Sequence, residues 1–419
     1  MSDKIKIFTI SDHPLSPSGV GTQTKYMIEG MLKTGKYEFV SFGGAITHPD
    51  HNPQKTEKWG EDWIIWPVDG YGSPDQVRAM IGQQKPDILW FMTDPRFYEW
   101  LWGIENEIRP QVPMVYYHVW DNYPYPHFNK AYYESNDHVA CISKLTYDIV
   151  QNVAPEVDSS YLPHAVDTEI FQKMDPQLVT DFKKSRFGEN AADKFYFFWN
   201  NRNARRKQSG SLIFWFKKFL DEVGHDKAVL IMHTEPKDPN GQDLEAIIRE
   251  LDLINGEVLF SKEKVDASNL AMIYNSVDCT INISDAEGFG LATLESMACE
   301  KPIIVNLTGG MKDQITDGTN TFGIGIEPIS KAIIGSQNVP YIYEDRLSEE
   351  QVVGAMKEMF NKSKKDRDEL GRLGREYALK QFNFEIFLQR WDELLTKIYE
   401  EKGSWSTRTG YKPYGVEVI

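Results

Sequence analysis

The chain is poor in cysteine and has no long apolar run. Its three cysteines, Cys141, Cys279 and Cys299, are odd in number and far apart among 419 residues. That excludes a disulfide framework and the paired spacing of a zinc site. They read as small buried side chains of a protein in a reducing, cytoplasmic compartment. The apolar stretches at 88–92 and 228–232 fall far short of the ~20 residues that cross a bilayer. The opening MSDKIKIFTISDHP is too short in apolar residues, before Ser11 and Asp12, for a signal-peptide core. Positive charge is also scarce: 46 Lys and Arg stand against 62 Asp and Glu, a net charge of −16. Such a surface repels phosphate backbones, so nucleic acid is not an expected partner. Net charge says nothing about one cleft, and a local basic pocket fits it equally well.

What the chain does contain is alternation. Short apolar runs at 4–10, 37–42, 62–68, 87–93, 114–120 and 138–142 are each followed by a helix-compatible segment, the first of them at 22–33. The pattern restarts after about residue 175, with runs at 194–200, 228–233, 257–260, 279–283 and 302–306. Strands alternating with helices imply parallel sheets covered on both faces. The class is α/β, with two doubly wound domains, 1–165 and 176–382. The seam lies in the proline-bearing stretch 162–176. Amphipathic helices are expected at 348–360, 362–382 and 384–401. The charge run at 362–375 reads as a solvated helix face.

Four segments carry candidate chemistry. The first, SDAEGFGLATLESMACEKPIIV at 284–305, places Gly288 and Gly290 in a turn between a strand and a helix over 291–299. Glycines admit close backbone approach, and the free N–H groups of a helix start attract anions. Glu287 and Glu295 flank that anion site, and carboxylates bind vicinal hydroxyls. A phosphate carrying sugars on either side is the ligand this pattern suggests. The second is WNNRNARRK at 199–207, basic in an acidic chain and placed after a strand. Arg202 and Lys207 reach one pyrophosphate from such a loop. A charge-assisted bond contributes roughly 1.5–3 kcal/mol against roughly 0.3–1 for a helix dipole, so these side chains dominate phosphate affinity. The third is the loop 11–21, with Gly19 and Gly21, where doubly wound folds bind ligands; without a third glycine it is a weak dinucleotide signal. The fourth is VYYHVWDNYPYP at 115–126, which ends a strand with His118. Such a strand end reads as a binding mouth, although a lone histidine is more often structural. Most of the tryptophans in the first half read as core.

Together these segments resemble nucleotide-sugar glycosyltransferases of the GT-B fold, in the large retaining family 4 (glycosyl transferases group 1). Glu287-x7-Glu295 is similar to that family's paired-glutamate signature, and Arg202-x4-Lys207 to its basic donor-phosphate pair. PHAVDTEIF at 163–171 resembles its hinge segment, and CISK at 141–144 its strand-end serine. The sequence departs from the pattern at Ala292, where proline is usual, at Gln208 and Ala165, where glycine is common, and at Asp313, where glutamate is usual.

The resemblance implies two Rossmann-like domains facing across a cleft. The first binds the acceptor and the second the donor, and a C-terminal helix and tail at 383–419 pack back on the first. It implies hexosyl transfer, with retention, from a UDP- or GDP-linked sugar, with no cofactor and no metal. Arg202 and Lys207 would hold the diphosphate, with the turn Gly288, Phe289, Gly290, Leu291 and Ala292 supplying backbone groups. Glu295 would bind ribose, Glu287 the transferred sugar, and Gly19 and Gly21 would line the donor from the first domain. His118 would sit by the anomeric face, so the catalytic set is Glu287, His118, Arg202 and Lys207. The acceptor stays open among a saccharide, a lipid-linked saccharide and a small molecule, and peripheral membrane contact stays open with it. An epimerase or phosphorylase of the same fold, and a non-catalytic nucleotide-sugar-binding protein, are the competing readings.

Overall fold

The computed structural model describes residues 4–411. Within them the chain divides into two compact units, one comprising 4–165, 335–341 and 385–411, the other 166–334 and 342–384.

The first unit is built on an eight-stranded sheet. Its strands are β1 (Ile5–Asp12), β2 (Tyr37–Gly44), β3 (Gln54–Lys55), β4 (Trp63–Pro67), β5 (Ile88–Thr93), β6 (Met114–His118), β7 (His138–Cys141) and β8 (Ser159–Tyr161). They lie in the order β3-β4-β2-β1-β5-β6-β7-β8, all parallel except β3 against β4. The central strand β5, ILWFMT, is buried at every residue, as a strand covered on both faces must be. Strands β3 and β8 escape the sequence pattern because they are two and three residues long and carry no apolar run. The first helix, Gly19–Lys33, starts three residues earlier than the expected 22–33. Ser18 caps it, accepting from the Gly21 N–H at 2.9 Å, and the Ser18 hydroxyl is held by Asp12 at 2.6 Å.

The second unit carries a six-stranded parallel sheet. Its strands are β9 (Phe195–Asn200), β10 (Ala228–His233), β11 (Val258–Ser261), β12 (Cys279–Asn282), β13 (Ile303–Asn306) and β14 (Gly323–Ile326), in the order β11-β10-β9-β12-β13-β14. Chain direction across this sheet reverses between β9 and β12, its topological switch point, and the loops at the carboxyl ends of those two strands therefore lie side by side. A separate antiparallel hairpin, β15 (Ser330–Ile334) with β16 (Ile342–Arg346), follows; the sequence reading did not anticipate it. The core joins Phe197 and Trp199 of β9 to Phe216 and Phe219 of the helix Ser209–Val223 and to Met356 and Met359 of the helix Glu349–Asn361.

The helix expected at 362–382 spans Lys364–Gln381, because Lys362 is extended and Ser363 caps a fresh start. Of the last three helices, only Phe384–Lys402 packs within the first unit. Asp392 on it accepts from Lys36 and from the Tyr37 hydroxyl, each at 2.7 Å. Trp391 stands edge-on to Trp90 and Tyr117 in the core of the first sheet. The segment after it is pinned by a bond from the Trp405 indole N–H to the Pro86 carbonyl at 2.9 Å and by Arg408 on Asp137. Among the described residues no helix is long and apolar enough to cross a membrane.

Two glycines separate close packing from helix propensity. A Cβ on Gly371 would lie 2.0 Å from the Glu300 carbonyl oxygen, whereas one on Gly354 would meet nothing within 4 Å. Gly371→Val is expected to cost about 2–3 kcal/mol through forced separation of the two segments. Gly354→Ala is expected to gain up to about 1 kcal/mol through helix propensity alone. Urea midpoints of the two variants check both signs.

Candidate active site

The switch point of the second sheet brings two distant loops together. Strand β9 runs into the loop 201–204, and a short 3-10 turn, Arg205–Lys207, precedes the helix Ser209–Val223. Strand β12 runs through Ser284 and Glu287 to the helix Leu291–Ala298. Because β9 and β12 pair directly (Phe198 opposite Thr280), residues 80 positions apart meet. The Lys207 ammonium is salt-bridged to the Glu287 carboxylate, and the Arg206 guanidinium stands 3.9 Å from the same carboxylate. Arg206 also donates to the Ala286 carbonyl at 2.6 Å. Burial pushes the Glu287 carboxyl up, but the charges of Lys207 and Arg206 outweigh it and hold it below the ordinary glutamate range.

The glycine turn is held from below. Gly290 has φ +92°, the left-handed region that favours glycine, and the helix it starts has no side-chain cap. Its first N–H groups therefore present an anion-attracting end. The Gln314 amide, fully buried, donates to the Phe289 and Gly290 carbonyls at 2.7 and 3.0 Å and accepts from the Thr293 hydroxyl at 2.6 Å. The Gly310 N–H binds the Glu287 carbonyl at 3.0 Å. Phe289 itself packs inward against Phe382. Leu291 and Ala292 open the helix and are half-buried.

Glu295 lies two turns along that helix and accepts from the Tyr274 hydroxyl at 2.8 Å. Tyr274 in turn accepts from Asn200 at 3.0 Å. Burial pushes the Glu295 carboxyl up to about 7, against the opposing pull of the Tyr274 hydroxyl.

Arg202 is not gathered with this group. Its guanidinium forks onto Asp238 at 2.7 and 3.1 Å, in the loop after β10. Its side chain is 63% exposed, and such a pair is worth about 0–1 kcal/mol. The buried Lys207–Glu287 pair is different, since removing one partner there costs about 3–5 kcal/mol. Lys207 is thus fixed in place, whereas Arg202 can be redirected to a stronger anion at little cost. The sequence analysis gives no role to Arg206, which stands 3.9 Å from Glu287. Its signal was present as one of the three arginines in the basic run. Gln314 and Tyr274 left no signal, because their roles are set by partners 21 to 25 residues away.

The candidates of the first unit lie at the ends of its strands. Gly19 starts the first helix. Gly21 is closely packed, with a Cβ there falling 2.7 Å from the His13 carbonyl oxygen. His118 ends β6 with no exposed surface. Its Nε2 lies 3.1 Å from the Tyr133 hydroxyl, and burial pushes its pKa down to about 3. Among the described residues no group of three or more His, Cys, Asp or Glu side chains is placed to hold a metal ion.

This architecture is that of the GT-B fold. Sucrose-phosphate synthase of Thermosynechococcus elongatus superposes with a TM-score of 0.75 over 95% of this chain and 100% of its own, at 15% identity. HepE of Anabaena, solved with UDP and glucose, superposes with a TM-score of 0.67 over 94% and 100%, at 14% identity. Residues 181–334 match the family described as glycosyl transferases group 1. Among curated proteins, it is 27% identical to an N-acetyl-alpha-D-glucosaminyl L-malate synthase of Bacillus anthracis over 44% of this chain. It is 29% identical to a trehalose synthase of Thermococcus litoralis over 26% of this chain. The aligned parts span 45% and 26% of those relatives, less than half of either.

The raised Glu295 carboxyl carries a sign for stability. The folded state keeps the proton to about pH 7, while an unfolded glutamate releases it near 4.3. Stability therefore falls as pH rises from the unfolded value through the folded one. Relative to wild type, Glu295→Gln is expected to gain about 3 kcal/mol between pH 4.5 and pH 8, and chemical denaturation at the two pH values reads that difference.

Proposed function

We propose that the protein is a retaining glycosyltransferase, moving a hexosyl group from a nucleoside-diphosphate sugar to an acceptor hydroxyl. The observation that carries this reading is the convergence of Lys207 and Arg206 on Glu287 beside the uncapped start of the helix Leu291–Ala298. The likeness to HepE, which binds UDP and glucose, supports a UDP-linked hexose over a GDP-linked one. The three cysteines are free and buried, in keeping with a cytoplasmic setting.

In this reading Lys207 and Arg206 take the diphosphate, and Arg202 leaves Asp238 to join them. The free N–H groups at Leu291 and Ala292 complete the cradle, while Glu287 binds hydroxyls of the sugar and Glu295 the ribose. Breaking the anomeric C–O bond leaves charge on the departing phosphate, and preorganised cations there supply the largest available lowering of the barrier. The acceptor oxygen bonds the anomeric carbon on the face the phosphate leaves, and the acceptor proton passes to the departing phosphate oxygen. Atoms balance without a protein nucleophile. The first unit is assigned to the acceptor. No acid–base step is assigned to His118, because burial holds its ring neutral and none of it is exposed.

The test is a thermal-shift screen against UDP, GDP and ADP sugars, followed by a transfer assay with the stabilising donor. A ligand at about 100 times its Kd raises stability by about 2.7 kcal/mol. Lys207→Ala is expected to lower the transfer rate at least ~100-fold, the scale of losing one preorganised charge partner. Arg202→Ala should lower it less, and Glu287→Ala should hurt transfer more than nucleotide affinity. With side-chain cations in the place of a divalent ion, EDTA is expected to leave the rate unchanged. Wild-type rates in Lys207→Ala overturn the phosphate assignment. Nucleoside diphosphate released without any acceptor favours another reaction on the same fold.

A further inference from the structure

Resting on the donor site read above, we propose that the β15–β16 hairpin is a working part of it, with Arg346 and Glu344 as positioning residues that hold Lys207 and Arg206 in line with Glu287. Strand β16 lies beyond the matched segment 181–334, so this support is not carried by the family motifs.

The hairpin register puts Glu344 opposite Ala332 and Arg346 opposite Ser330. Residues two apart on a strand share a face, so Glu344 and Arg346 project together. Arg346 reaches the Asp285 carboxylate through one nitrogen and Glu344 through another at 2.9 Å. The Glu344 carboxylate also accepts from Arg205 at 2.8 Å. Both Glu344 and Asp285 are buried.

Asp285 is the hub. Its backbone N–H binds the Arg206 carbonyl at 2.8 Å, and its carbonyl accepts from the Asp345 N–H at 2.8 Å. Its carboxylate accepts from the Gln208 amide at 2.6 Å. The residues on either side of Lys207 are thus tied to a residue two positions before Glu287, and that residue is tied to the hairpin. Asn306 adds a cross-brace, donating to the Ser284 carbonyl at 2.9 Å and the Asp345 carbonyl at 3.3 Å.

Two features mark this as more than packing. Burying the two carboxylates of Glu344 and Asp285 is a poor way to anchor a hairpin, since apolar side chains of the same volume hold as well or better. What the charges do instead is sort the basic run. Glu344 neutralises Arg205, and Arg206 and Lys207 are left as the cations facing Glu287. Gln208 points the same way. It has φ +55°, a conformation that costs an ordinary side chain about as much as one weak hydrogen bond gains. Its amide is what bridges that turn to Asp285, while its oxygen accepts from the Ser211 hydroxyl at 2.6 Å.

The experiment uses the full chain, with UDP and GDP as calorimetric probes beside the transfer assay and a thermal melt. Arg346→Gln is expected to weaken nucleoside-diphosphate binding roughly tenfold and to slow transfer by more, since small misplacements of reacting groups are costly. Arg346→Lys should recover binding to within about threefold. In a Lys207→Gln background, Arg346→Gln should cost less than about twofold further, because it acts through Lys207 and the two losses do not add. Gln208→Gly is strain-free at that backbone position and keeps the fold even if Arg346→Gln does not; it should weaken binding roughly threefold, the loss of one hydrogen bond. Wild-type affinity in Gln208→Gly and Arg346→Gln, or fully additive losses with Lys207→Gln, overturns the hairpin's role and leaves the donor reading standing. A wild-type protein that binds neither nucleotide overturns both.

Discussion

The parallel pairing of β9 with β12 is the contact on which the candidate site depends. Two strands that are far apart in the chain become neighbours at the one place where the sheet changes direction. The turn after the first carries Lys207, and the turn after the second carries Glu287 and the glycines. Neither turn has partners enough by itself. The Lys207 ammonium is salt-bridged to Glu287, and the Arg206 guanidinium stands 3.9 Å from the same carboxylate. Such charges are tolerated only as a set, so the pairing of the strands and the charge of the site stand or fall together.

The electrostatics follow from that arrangement. A chain of net charge −16 concentrates four cations in the six residues 202–207, and the fold gives each a carboxylate or carbonyl partner. Arg202 has Asp238, Arg205 has Glu344, Arg206 has the Ala286 carbonyl, and Lys207 has Glu287. The partners differ in burial, and burial sets how readily each is given up. The exposed Arg202 pair is weak and exchangeable. The buried Lys207–Glu287 pair fixes geometry. Under the proposed function, an incoming dianion meets two cations already in position and recruits a third.

The first unit is organised by the helix Phe384–Lys402. Asp392, Trp391 and Leu388 of the helix Phe384–Lys402 pack onto the first helix and the central strands. The stretch after it closes over Arg109 and Asp137, where Arg408 supplies a nearly buried countercharge. Segments 300 residues apart in sequence are thus one core. Parallel sheets of this kind need cover on both faces, and here part of that cover comes from the far end of the chain.

The α/β class, most strands of both sheets and the glycine turn between two glutamates could be read directly, because each is written in local periodicity or in a run of residues with one physical job. The basic run was equally visible, yet which of its cations faces Glu287 was not. Arg206 stands 3.9 Å from Glu287, whereas Arg202 bonds Asp238 in the loop after β10. The hairpin and its two charges, the Gln314 staple and the Tyr274 contact to Glu295 left no local trace. The amino-acid order by itself determined where strands, helices and turns form, since those depend on side chains a few residues apart. Only the tertiary structure decided which charges meet, because ion pairing depends on distance and burial in space, and those are set by how strands 80 residues apart line up.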